Sequence, residues 1–415
     1  MLTQFNLATL NINFANIQVR AKANGYVESA LSNSIEYGWA NLYTFELSED
    51  ENYYILTGVK DTRPPDLRDL EIPTSYKGLP IRFIAEHAFK NATWLNSIYI
   101  PGSIIGISSA AFFGCNNITK ITIPFVGTGA SGAAPDDDYN NASDFGVIFD
   151  YGYPNINTYV PESLNEVVIS GYSNNIEFGA FEDCASIVKV VIEDGVVSIG
   201  QNAFKGCTSL NEVTTPDTLL TIEDGAFENC ESLMSLRIGA GIESIGDAFI
   251  GCIAFENLHL QNIASYCEAG VLYSPAAESA AITDIYIGNT RVDDLVIPDG
   301  VTKVGGFEGF LNLGSVHVAD SVETILPRAF AFCDMITSVY IGHGVTQIKE
   351  NAFYECYLEA VYYPGTEEEW NAITIESGND ALLNARIYFR TALRLADGKY
   401  EIDSNDDTFN VKEEA

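Results

Sequence analysis

Eight cysteines and four histidines are the residues of this 415-residue chain best suited to chemistry, as thiolate nucleophiles, general bases or metal ligands. Their spacing argues against all three roles. His87, His259, His317 and His343 stand far apart, and none belongs to a His-x-x-x-His pair. Cys115, Cys184, Cys207, Cys230, Cys252, Cys333 and Cys356 each follow an Ala-Phe pair after the same two-residue gap. A thiol kept at one place of a recurring unit is a small buried hydrophobe with a weak donor. Stacked Cβ vectors run parallel and do not converge as a disulfide requires, so free buried thiols are expected over bridges or a metal. Cys267 stands outside this series and is the one thiol not expected to be buried. Asp136-Asp137-Asp138 lacks the alternating ligands and closing glutamate of a calcium loop and reads as a solvated turn. With no Walker loop, Gly-x-Ser-x-Gly elbow or dinucleotide fingerprint, the expectation is a non-enzyme without cofactor or metal.

The elements that position the cysteines are repeats. Ala-Phe returns with its phenylalanine at 89, 112, 181, 204, 227, 249, 330 and 353, and neighbouring members stand 23 residues apart, or 22 between Phe227 and Phe249. Phe112 and Phe181 are 69 apart, three periods, which predicts an unbroken register. A period of this length means a solenoid, in which each unit buries its apolar face only against its neighbours. Between one cysteine and the next Ala-Phe runs a segment such as Leu210-Asn211-Glu212-Val213-Thr214-Thr215-Pro216, with Leu210, Val213 and Thr215 pointing inward: a short strand stopped by proline.

The unit Cys-x-x-Leu-x-x-Val-x-Ile-Pro…Ile-Gly-x-x-Ala-Phe resembles that of the BspA-like (Treponema pallidum type) leucine-rich repeat proteins. The resemblance runs from Leu42 to Phe389. It includes an entry segment with Tyr53-Tyr54-Ile55-Leu56-Thr57-Gly58, Ile72-Pro73 and Tyr76-Lys77-Gly78-Leu79-Pro80, and a terminal Tyr363-Pro364-Gly365-Thr366-Glu367-Glu368-Glu369-Trp370. It implies a β-rich, right-handed solenoid with a stacked parallel strand face, and an adhesion or binding protein exposed on a cell surface. It brings no catalytic residues.

The expected organisation is an N-terminal arm over residues 1–41, an entry module over 42–80, repeats over 81–362, a C-terminal cap over 363–390 and an acidic tail over 391–415. In the arm, Leu10, Ile12 and Phe14 alternate with asparagines before Ile17 and Val19 take the opposite parity, a strand with a bulge near Ala15-Asn16. It either pairs with another chain or folds over the first repeat. Residues 125–161 read as a glycine- and proline-rich insertion carrying an aromatic patch of Phe145, Phe149, Tyr151 and Tyr153, and 253–310 as an irregular unit in which 264–281 loop out. Thr366 to Glu369 is a capping box before a short helix. The tail is either a loosely held strand or disordered.

The net charge of −36 repels phosphate backbones and anionic membranes, so nucleic acid is not an expected partner. No apolar run approaches the ~18 residues that span a bilayer, and residues 2–40 show no signal peptide.

Side chains alternate along a strand, so the residue between the last two inward positions faces outward. Down the chain this column reads Tyr99, Thr122, Val168, Val191, Thr214, Arg237, His259, Tyr286, Val296, His317, Tyr340 and Tyr362. From Arg237 onward it is rich in residues that anchor interfaces, and Arg237, His259, Tyr286, His317, Tyr340 and Tyr362 are the expected ligand-binding stripe. Tyrosine and β-branched residues also favour strands without any ligand. The neighbouring column, from Ser97 and Lys120 to Ser338 and Ala360, reads as polar and adaptable. The expected partner is a protein or glycan on a host or neighbouring cell; the alternative is a structural component of a virion or surface layer, anchored by residues 1–40.

Overall fold

The computed structural model describes residues 42–60, 62–129, 143–151, 156–170, 175–270 and 284–390, and the backbone of three short strands in the tail. The arm at residues 1–41 and the Asp136–Asp138 run lie outside the described residues.

Each repeat contributes one strand to a parallel sheet and, across the core, a two-residue strand and the Ala-Phe turn. Parallel pairing runs from Asp69–Glu71 through Ser97–Tyr99, Lys120–Ile123, Glu166–Ile169, Lys189–Ile192, Glu212–Thr214, Ser235–Ile238 and Asn257–Leu260 to Asp284–Ile287. A second parallel run joins Asp294–Val296, Ser315–Val318, Ser338–Ile341, Ala360–Tyr363 and Arg386–Phe389. The solenoid expectation holds.

Between the two sides the Ala-Phe rings form a stack. Phe204 lies 4.9 Å from Phe181 and 5.3 Å from Phe227, with ring planes 7° and 2° apart. The ladder cysteines are free, buried and, for the most part, bonded upward: Sγ of Cys115, Cys207, Cys230, Cys252, Cys333 and Cys356 donates to the carbonyl of Phe89, Phe181, Phe204, Phe227, Phe307 and Phe330, at 3.0–3.3 Å. The thiol is therefore more than a small hydrophobe: it gives a buried carbonyl a second donor beside the backbone N–H that most of these carbonyls already accept, as Phe204 O does from Cys207 N–H at 3.2 Å.

Turning the chain around each ring takes two left-handed residues, one two places before the phenylalanine and one two places after. Seven of the eight Ala-Phe units have both, for instance Gly179 and Asp183, Asn202 and Gly206, Gly225 and Asn229. The exception is the unit of Phe249, which keeps only Gly251. It is the unit whose spacing shortens to 22, since Gly246-Asp247-Ala248-Phe249 omits one residue of the turn.

The expectation of three periods between Phe112 and Phe181 is corrected. Lys120–Ile123 pairs directly with Glu166–Ile169, Ile121 opposite Val167, so the chain advances one strand over 46 residues. Nor is the aromatic group of the insertion a patch on a projecting loop. Phe145 and Phe149 are buried, and a 3-10 turn at Phe145–Ile148 fills the missing Ala-Phe position. Phe112 N–H donates to Ile148 O at 2.8 Å, Phe145 N–H donates to Ala180 O at 2.8 Å, and the Phe145 ring lies 4.7 Å from Phe181. Tyr151 is exposed, and Tyr153 lies outside the described residues.

The irregular unit differs likewise. Residues 264–268 do not loop out but belong to helix α1, Ile263–Glu268, capped by the Asn262 side chain, which accepts from the N–H groups of Ala264 and Ser265. Its Tyr266 is buried, packs 5.5 Å from Phe307 and donates its hydroxyl to Gly306 O at 2.9 Å. Cys267 beside it is fully buried, against expectation, and burial pushes its thiol far above the ordinary range. The apolar content of α1 supplies core where Ala-Phe is missing.

At the entry, Tyr43–Leu47 and Tyr54–Val59 form an antiparallel pair. At the other end, helix α2, Glu367–Asn371, has the expected capping box: Glu369 N–H donates to Thr366 Oγ1 and Thr366 N–H donates to Glu369 Oε2. Helix α3, Asp380–Asn384, buries Leu382 in the last turn, and Asn410–Val411 pairs antiparallel with Arg386–Phe389.

Candidate functional site

Hydrogen-bonded register fixes which outward residues meet on the strand face. Thr214, Arg237, His259 and Tyr286 are directly opposite one another on four successive strands. Val296, His317, Tyr340, Tyr362 and Tyr388 are aligned in the same way on the second run. The single stripe expected from the sequence is corrected here, because the two runs are not paired to each other. After Asp284–Ile287 the chain turns back at Gly288, and Thr290–Val292 pairs antiparallel with it, ending the first sheet. The six residues therefore form two groups, Arg237, His259 and Tyr286 in one and His317, Tyr340 and Tyr362 in the other. Tyr388 extends the second group and was missed. Its signal is the same alternation in Arg386-Ile387-Tyr388-Phe389 as in Ala360-Val361-Tyr362-Tyr363.

In the first group the His259 ring stacks on Tyr286 at 4.5 Å with 13° between planes. Burial lowers the pKa of His259, a hydrogen bond to the Gly288 backbone opposes that, and the Arg237 guanidinium lowers it further. The net effect favours the neutral imidazole. Exposed Arg237 lines an open groove of about 530 Å³ with Ile192, Glu193, Asp194, Thr214, Thr215, Pro216 and Asp217. Two of the polar groups are already engaged in structure. Thr215 Oγ1 donates to Arg237 O at 2.9 Å, and Asp217 Oδ1 accepts from Ala240 N–H at 2.9 Å.

In the second group His317 meets Tyr340 edge to face at 4.7 Å, Tyr362 stacks on Tyr388 at 5.1 Å, and the Arg386 guanidinium sits 5.1 Å from the Tyr388 ring centroid. Burial lowers the pKa of His317 and raises that of Tyr340, the nearby Asp320 carboxylate adding to the latter. Face-to-face stacking of neighbours directs ring edges, rather than faces, away from the sheet.

The neighbouring column, read from the sequence as polar and adaptable, is partly paired within itself. Lys120 and Glu166 pair at 2.7 Å and Lys189 and Glu212 at 2.8 Å, so charge alternates along four successive strands. Ser97 Oγ donates to Asp69 at 2.6 Å and Ser315 Oγ to Asp294 at 2.7 Å. Such partly exposed pairs contribute at most about 1 kcal/mol each, but they occupy the groups a ligand would need. Among the described residues, no group of three or more His, Cys, Asp or Glu is arranged to hold a metal ion. Nor is any helix among them long and apolar enough to cross a membrane.

The family described as BspA type Leucine rich repeat region matches in six copies over residues 66–128, 174–290 and 283–376, more than half of the chain. Among solved structures, a leucine rich cell surface protein from Faecalibacterium prausnitzii is 23% identical, with 81% of this chain and 97% of that one covered and a TM-score of 0.31. A leucine-rich repeat protein from Bacteroides ovatus is 16% identical, with 84% and 98% covered and a TM-score of 0.29. The T. pallidum leucine rich repeat protein is 21% identical, with 66% and 89% covered and a TM-score of 0.28. Among curated proteins no relative matches the sequence.

Proposed function

The chain belongs to the BspA-type leucine-rich-repeat family, and from that premise we propose that it is a non-catalytic binding protein, displayed at a cell surface, that holds a protein or glycan ligand on its strand face. The observation that carries this reading is the alignment of Arg237, His259 and Tyr286 on adjacent strands beside the groove of about 530 Å³. Arginine and aromatic side chains cover much area for little loss of conformational freedom, and they dominate binding energies where they cluster. The earlier strands present Thr122, Val168, Val191 and Thr214 in the same column, above a row of lysine and glutamate already paired with each other. A ligand therefore gains most from Arg237 onward.

The test is a binding screen of immobilised glycans and extracellular-matrix proteins against the wild type and the double variant Arg237→Ala/Tyr286→Ala. Each residue lies on the outer side of its strand, so the variant should keep its unfolding midpoint and lose roughly 2 kcal/mol or more of affinity, about thirtyfold. A Tyr340→Ala/Tyr362→Ala variant separates the two groups. A ligand held equally by wild type and both variants would remove the strand face from the reading.

A further inference from the structure

The corner of the solenoid formed by the Ala-Phe turns of Phe330 and Phe353 departs from every other corner. The flanking left-handed positions of the eight units are glycine, asparagine or aspartate at ten of fifteen places, and only the unit of Phe330 has none of these residues. In the unit of Phe330 they are Arg328 (φ 56°) and Phe332 (φ 58°). A side chain as bulky as phenylalanine is strained there, and glycine or asparagine would relieve the strain. Burial does not explain its presence, because Phe332 is 39% exposed. It is joined by Tyr354 (39% exposed), whose ring meets it edge to face at 5.4 Å, and by Met335 (60%) and Tyr357 (66%) in the turns that follow. Backbone pairing holds the two turns together, with Phe332 N–H donating to Tyr354 O at 2.8 Å.

The patch is anchored from beneath. Glu308 is buried and ion-paired with Arg328, whose guanidinium lies 5.6 Å from the Phe332 ring centroid. The Arg328 charge is thus neutralised within the fold. The charges left around the apolar surface are the exposed Asp334, Glu355 and Glu359, on a chain of net charge −36. An apolar surface with an acidic border on a strongly acidic protein selects against a second copy of itself and for a cationic partner that also carries apolar side chains.

We propose that Phe332, Met335, Tyr354 and Tyr357 form a docking site, separate from the strand face, for a basic amphipathic segment of another protein. The segment would place its apolar side chains on the two rings and the methionine, whose flexible thioether adapts to varied shapes, and its lysines or arginines against Asp334, Glu355 and Glu359.

The experiment measures fluorescence anisotropy of a labelled leucine–lysine amphipathic peptide with the full chain, at about 0.15 M salt, where long-range attraction is screened. A lysine-only peptide of equal charge and a leucine–glutamate peptide serve as controls. The wild type is expected to bind the leucine–lysine peptide at least about tenfold more tightly than either control. Phe332→Asn, which suits the left-handed backbone, and Met335→Ser/Tyr357→Ser, which leaves that backbone untouched, should each weaken it about tenfold or more. Met335→Ser/Tyr357→Ser should keep the wild-type unfolding midpoint, and Phe332→Asn, which relieves the backbone strain, should keep or raise it. Equal binding of the lysine-only peptide, equal binding by the variants, or no binding by the wild type overturns the proposal. So does a concentration-dependent dimer of the wild type that either variant abolishes, which would make the patch a contact between copies.

Discussion

Truncating Phe204 tests the aromatic stack at its most regular point. The ring is fully buried, with Phe181 4.9 Å away on one side and Phe227 5.3 Å on the other. Removing a buried ring costs about 3–5 kcal/mol, depending on how far the surroundings collapse. Collapse is restricted here, because the backbone on both sides is clamped: Phe181 N–H donates to Ala203 O at 2.7 Å, and Phe204 N–H to Ala226 O at 2.8 Å. Two ring contacts, each contributing about 0.5–1.5 kcal/mol beyond area, disappear at once. Phe204→Ala should therefore fall at the upper end, about 5 kcal/mol, and Phe204→Leu well below it. Because each repeat is held by its neighbours, the loss should open adjacent units before distant ones. The ladder supplies local reporters for this: Cys207 and Cys230, which donate to Phe181 O and Phe204 O, should react with a thiol reagent at low denaturant in the variant, while Cys356 stays protected. Denaturant titration with time-resolved thiol labelling reads both quantities. An unchanged midpoint would refute the placement of the ring as core, and uniform exposure of all thiols would refute the local character of the loss.

Other consequences follow from the same geometry. In the native wild type all eight thiols, Cys267 included, should resist labelling and become available on unfolding, since all are buried and burial pushes Cys115 and Cys356 up to about 12 and Cys184, Cys207, Cys230, Cys267 and Cys333 in the same direction; rapid labelling of Cys267 would contradict its burial beside Tyr266. Asp144 is pushed up to about 6 by burial, with the Glu182 carboxylate adding to it. It holds its proton more tightly folded than unfolded, so its contribution favours the fold below about pH 4 and is lost as pH rises through 6. Asp144→Asn should raise the thermal midpoint at pH 8 and leave it nearly unchanged at pH 4, and a pH-independent difference would sink the assignment. Gly239→Ala would bring its Cβ to 2.0 Å from the Pro216 carbonyl oxygen, so backbone must shift; about 1–3 kcal/mol should be lost in urea unfolding, and a neutral effect would mean that the close approach is absent. Thr366→Ala removes the cap of α2 and should cost about 1 kcal/mol, seen as faster amide exchange at Trp370.

What the sequence determined alone is whatever repeats or is local. A ring every 23 residues, a thiol after the same gap and an apolar-polar alternation can be satisfied together only by stacking units, so Phe204, Cys207 and Val213 were placed correctly without coordinates. Capping of α2 and pairing of Tyr43–Leu47 with Tyr54–Val59 were legible because each depends on residues close in the chain. Where the period failed, the outcome depended on non-local competition for a place in the core. Phe145 and Phe149 were drawn into the stack because the units on either side leave a ring-sized place, and Tyr266 and Cys267 because α1 supplies apolar volume where Ala-Phe is missing. Spacing by number was misleading at Phe112 to Phe181, since an insertion of one period's length preserves the count while adding no strand. The strand face shows the same limit. Arg237, His259 and Tyr286 could be aligned from their units, but the turn at Gly288 reverses the chain within a few residues and separates them from His317, Tyr340 and Tyr362. Backbone pairing, not periodicity, decides which columns are continuous.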